Sequence, residues 1–97
     1  MANYISLLQF TEQGSRNVNH TVTRFGAASA SAEKMGVKIT DAFWIMGAYD
    51  IVLILDAPDD QTVSAFAAKL GSLGNVKTQT MRGFRREEMR DILAKIK

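Results

Sequence analysis

Two short runs constrain this fold more than anything else in the chain. Tyr4 to Phe10 (Tyr-Ile-Ser-Leu-Leu-Gln-Phe) and Ile51 to Leu55 (Ile-Val-Leu-Ile-Leu) are largely apolar at both odd and even positions. Their length, and their aromatic and β-branched content, favour strands over helices. Successive strand residues point to opposite faces, so each run needs cover on both sides and belongs in the middle of a sheet. With 97 residues, the chain can build one core around that sheet and has no room for a second. Residues 1–97 therefore read as a single domain.

The remaining segments supply the other layers. From about Ser15 to Met35, the residues Val18, Val22, Phe25, Ala28, Ala32 and Met35 recur every three or four positions and predict one long amphipathic helix ending at Gly36. Its middle, Gly26 to Ala32, holds only glycine, alanine and serine, slim enough for close approach to a sheet or another helix. Val37 to Met46 and Tyr49 to Asp56 predict two strands joined at Gly47-Ala48. Glycine first in a two-residue loop fits a type II′ hairpin, which needs positive φ there. Asp59 or Asp60 can cap a second helix with the stripe Val63, Phe66, Ala67 and Leu70, closed by Gly71 and Gly74. Asn75 to Met81 alternates and is polar, as an edge strand is. Phe84, Met89, Ile92, Leu93 and Ile96 mark a last amphipathic helix.

The order is strand, helix, strand, strand, helix, strand, then the terminal helix. That is an α+β, ferredoxin-like βαββαβ arrangement with an added C-terminal helix. Its first and third strands are central, which are the two most apolar runs here. Two helices cover one face only, so the other face would carry half the side chains of both runs into water. A patch of that kind marks an interface or a ligand surface. The simplest cover is a second copy, giving a dimeric α/β barrel or a higher homo-oligomer.

Much chemistry is excluded. There is no cysteine, and His20 is the one histidine, so disulfides, thiolate nucleophiles, cysteine zinc sites and two-histidine sites fall away. Neither a metal nor a cofactor is expected. His20 lies two residues from Val18 and two from Val22, roughly 200° round a helix from either, and so points to solvent rather than acting as a base. Asp56, Asp59 and Asp60 offer too few oxygens for a divalent ion and read as caps. No run is long and apolar enough to span a membrane, and Met1-Ala2-Asn3-Tyr4 lacks the basic and apolar parts of a secretory signal. The expected compartment is the cytoplasm.

The formal charge of +2 is uneven. Residues 82–97 carry Arg82, Arg85, Arg86, Arg90, Lys95 and Lys97 against Glu87, Glu88 and Asp91, a balance of +3, and the other 81 residues balance to −1. The opposite charges of that tail are spaced as helix neighbours, which suits a solvated face. Arg82-Gly83-Phe84 matches the start of an RNA-recognition signature, but Arg85-Arg86 breaks it at once. Nucleic acid is not the expected partner.

The best functional cluster is Trp44, Tyr49 and Asp50, flanking the predicted turn. An indole, a phenol and a carboxylate lining one concave surface would suit a small apolar or aromatic ligand, with Tyr49 and Asp50 able to move a proton. The structural alternative has Tyr49 packing as a strand aromatic and Asp50 accepting backbone hydrogen bonds.

Met46-Gly47-Ala48-Tyr49-Asp50 followed by Ile51-Val52-Leu53 resembles the GYD-domain family, small bacterial proteins with a Gly-x-Tyr-Asp signature. The likeness extends to Tyr4-Ile5-Ser6-Leu7-Leu8, Thr11-Glu12-Gln13-Gly14, Asn17-Val18, Ala32-Glu33-Lys34-Met35-Gly36, Asp56-Ala57-Pro58-Asp59-Asp60 and Gly71-Ser72-Leu73-Gly74-Asn75-Val76. Ala48 stands where similar proteins commonly carry a larger residue. The resemblance implies a dimeric ferredoxin-like fold in a family that is chiefly of unknown function. Two readings follow: a homo-oligomeric domain that binds a small molecule in a cavity near the sheet, or a cofactor-independent isomerase or oxygenase of the dimeric α/β-barrel kind.

Overall fold

The computed structural model describes residues 1–96. Four strands, β1 (Ala2–Phe10), β2 (Lys38–Trp44), β3 (Ile51–Ala57) and β4 (Val76–Gly83), form one antiparallel sheet in the order β2-β3-β1-β4. The helices are α1 (Glu12–Arg16), α2 (Thr21–Lys34), α3 (Asp60–Ser72) and α4 (Arg86–Leu93). This is the ferredoxin-like α+β arrangement, with the two apolar runs as its central strands. No helix among the described residues is long and apolar enough to cross a membrane.

The first helical segment differs from the expected single helix. The Thr11 hydroxyl accepts the Gly14 amide at 3.1 Å and starts α1. At Asn17 the backbone leaves helical geometry (φ −107°, ψ 28°) and its side-chain amide donates back to the Gln13 carbonyl. A 3₁₀ turn at Val18–His20 then leads into α2. The break turns the front of the predicted stripe outward, leaving Val18 44% and Val22 67% exposed. Gly14 is buried because α1 closes onto the chain entering β4, where a Cβ would overlap the Asn75 carbonyl oxygen.

The hairpin also differs. Its connection runs from residue 45 to 50 rather than over two residues. One further bond, from the Ile45 N–H to the Asp50 carbonyl, closes the loop, while the Asp50 N–H turns away to the Leu8 carbonyl of β1. Gly47 takes the expected positive φ, at +119°, which a side chain would resist. A bulge between Ile39 and Asp41 lets β2 keep Ile39 and Ala42 on the helix side.

Tyr4, Leu8, Leu53 and Leu55 are buried on one face of the sheet under Ala32 of α2 and Val63, Phe66 and Leu70 of α3. Burying each large apolar side chain contributes roughly 1.5–3 kcal/mol. Among the described residues, no helix covers the opposite face. Across it run the rows Met81, Ile5, Ile54 and Gln79, Leu7, Val52, Phe43. Ile5, Met81 and Phe43 are 37%, 38% and 53% exposed. The terminal helix α4 buries no residue and leaves Met89 and Leu93 exposed.

Candidate functional site

The structure separates the three residues expected to share one surface. Trp44 is opposite Ile51 in the β2–β3 ladder and so lies on the helix side. Its indole N–H donates to the Thr21 hydroxyl at 3.1 Å, and its ring meets Phe25 edge-on, centroids 5.6 Å apart. Tyr49 lies on the other side: its phenol donates to Gln79 Oε1 at 2.7 Å, and Gln79 faces Leu7 on the open face. Asp50 sits between the strands. Its Oδ2 accepts the Phe10 N–H at 2.8 Å, its own N–H donates to Leu8, and its carbonyl accepts Ile45. These bonds stitch the hairpin to β1, the role of a structural acceptor. Alternation in β2 turns Trp44 to the helix side, whereas Tyr49 belongs to the 45–50 loop, which carries it to the open face beside Gln79.

A cavity of about 450 Å³ lies elsewhere, between α2 and α3 above the helix side of β1 and β3. Leu8, Ile51 and Leu53 form its floor, and Phe25 and Ala28 face Phe66 and Leu70 across it. The slim middle of α2 was expected to pack closely. It does so at Ala32, which is fully buried, but at Ala27, Ala28 and Ser31 the side chains are too short to fill the space toward α3. The charged residues lining the cavity are Arg24 and Lys69, both cations. Arg24, Ala28 and Ser31 share one helix face at spacings of four and three. A polar residue at each end of a small-residue stripe was the signal in the sequence for this feature.

A third cluster fastens the far end of the sheet. The Tyr4 phenol donates to Asp60 Oδ1 at 2.6 Å, the Arg82 guanidinium lies 5.7 Å from the Tyr4 ring centroid and 4.6 Å from that of Phe84, and it pairs with Glu88 at 2.9 Å. The hydrogen bond to Asp60, then burial, raises the Tyr4 phenol above its ordinary value. The Arg85 N–H, then Arg82, holds Glu88 below the usual carboxylate range. Hydrogen bonds from Thr62 do the same for Asp59, the cap of α3. Each partner is an element of the fold, so the cluster locks β1, α3 and α4 together. Among the described residues no group of three or more potential ligands could hold a metal ion.

The GYD-domain family model matches residues 4–93. The chain belongs to the GYD-domain family. A glutamine synthetase and cystathionine beta-lyase binding protein of Thermus thermophilus is 28% identical to it over 98 residues, covering all of both chains. Among solved structures, FFRP-DM1 is similar at a TM-score of 0.61 and 17% identity, over 87% of this GYD chain and 100% of that one. TTHA0845, also of Thermus thermophilus, is similar at 0.58 and 18% identity, over 88% and 95%. A hypothetical protein of Pyrococcus horikoshii, PHS023, is similar at 0.55 and 18%, over 89% and 93%. At those identities the structural likenesses establish the fold alone.

Proposed function

We propose that this GYD-domain protein is a cytoplasmic, homo-oligomeric binding module that docks onto other proteins, metabolic enzymes among them. The observation that carries the reading is the open sheet face, where the apolar rows Met81–Ile5–Ile54 and Leu7–Val52–Phe43 each cross three strands without helical cover. A two-fold axis through the middle of that face would set the same rows against themselves, the arrangement a symmetric dimer requires. A protein partner is supported by the full-length relative, which is named for binding glutamine synthetase and cystathionine beta-lyase. The rival reading, a cofactor-independent enzyme with Tyr49 and Asp50 in proton transfer, has less support. Asp50 accepts a backbone N–H and Tyr49 donates to a glutamine, neither of them in the cavity.

Sedimentation at micromolar concentration is expected to give a mass at least twice 10.7 kDa. Calorimetry against purified glutamine synthetase and cystathionine beta-lyase from the same source is expected to show saturable heat with one of them. A stable monomer would remove the oligomer from the reading, and no heat with either enzyme would remove the protein partner. Turnover lost in Asp50→Asn, with its melting temperature unchanged, would favour the enzyme instead.

A further inference from the structure

We infer that the cavity between α2 and α3 is a binding site for a small amphipathic carboxylate, with an apolar body held over Leu8 and Leu53 and its anionic end at Arg24. This goes beyond the protein-binding reading and does not depend on it, because the cavity lies on the helix side and the open face on the other. At about 450 Å³, it falls within the range of small-molecule sites, which are mostly apolar with a few placed polar groups. The floor and walls already described are apolar, and the lining carries two cations and no acid.

The polar chemistry of α2 points the same way. Arg24 Nη1 donates to the Asn17 carbonyl at 2.7 Å, but Nη2 is closed off from solvent and has no acceptor. Ser31 Oγ, two helical turns along the same face, is likewise buried without a partner. No carboxylate of the described residues pairs with Arg24, since the ion pairs are Arg16–Glu12 and Arg82–Glu88. A buried guanidinium donor lacking an acceptor is unfavourable, and a carboxylate is the anion whose two oxygens match a guanidinium fork. Lys69 on α3 adds a second positive charge to the lining, which favours an anion over the basic α4 of another copy.

The site carries its own reporter. Trp44, the one tryptophan of the chain, touches Phe25 and Thr21, and both of these line the cavity. An occupant that shifts either would change the indole's surroundings.

The test is titration of the protein with decanoate and with 1-naphthoate, followed by Trp44 emission and by calorimetry, beside the neutral decanol and 1-naphthalenemethanol. At least one acid is expected to bind with a change in Trp44 emission, about tenfold or more tighter than its alcohol. Arg24→Met, which keeps length and apolar bulk, is expected to remove that preference while leaving alcohol binding unchanged. Ala28→Trp, which fills the cavity, is expected to abolish both. The proposal is overturned if neither acid binds, or if Arg24→Met binds the acid as tightly as the unaltered protein. It is also overturned if Ala28→Trp dissociates the oligomer while no acid binds, which would assign the cavity to a second copy of the chain.

Discussion

The two faces of the sheet are made from the same strands yet finished differently. In β3, Leu55 is 1% exposed under the helices, while its neighbour Ile54 points the other way, only half-buried beside Ile5. Both are branched aliphatic residues of equal size, so sequence chemistry does not distinguish them. What does is cover: two helices close one face, and nothing from the chain's described residues closes the other. An apolar face completed within the chain stabilises the fold, and one left open stabilises whatever settles on it.

Substitution at this adjacent pair breaks the comparison most sharply. Leu55→Ala is expected to lower stability by about 2–5 kcal/mol at any protein concentration, because a closed core cannot collapse around the missing atoms. Ile54→Ala removes the same number of carbons and is expected to lower the stability of the isolated chain by about 1 kcal/mol. Its larger effect should be on self-association, making the melting temperature more dependent on concentration. Equal, concentration-independent losses at both positions would show that the open face takes no second copy.

Gly14→Ala sharpens the contrast at the margin of the covered face. The added methyl meets the Asn75 carbonyl, which is backbone and held by the Thr11 N–H at 3.0 Å. A loss of about 1–3 kcal/mol is expected, measured by denaturant titration, without change in oligomeric mass.

The smallest effect expected is an acid-side loss of stability. Glu88 and Asp59 both have folded values below their ordinary 4.5 and 3.8, so the unfolded chain binds more protons in that range. Their stabilisation is complete above about those values and is lost as the pH falls through the lower folded ones. Glu88→Gln is expected to flatten the part of the acid limb that reports α4, followed by helical circular dichroism. Tyr4 acts at the other extreme: its raised value keeps its contribution intact below 10.0 and loses it as pH climbs through the folded value.

Much of the fold was legible because the pattern that reveals it is local. Near-continuous apolar runs in Tyr4–Phe10 and Ile51–Leu55 identified the central strands, and of the two aspartates expected to cap the next helix, Asp59 is the one the structure uses. The break at Asn17 was not legible, since the spacing of Val18 and Val22 fits a helix whether or not that stripe meets a sheet. Little of the candidate site could be read. Trp44 and Tyr49 are five residues apart, and which face each takes depends on where β2 stops, which is fixed by the Ile45 and Asp50 bonds and not by either aromatic.

The sequence by itself determined the element order, the central strands, the need for glycine at position 47 and an apolar surplus beyond what two helices cover. These follow from side-chain period and backbone sterics, which act over a few residues. Only the tertiary structure decided that small side chains at Ala28 and Ser31 leave a cavity rather than a close contact, and that Arg24 lines it while holding a buried, unpaired donor. The separation between α2 and α3 is set by how each helix seats on the sheet. That distance is a property of three packed elements at once, and no stretch of the chain encodes it alone.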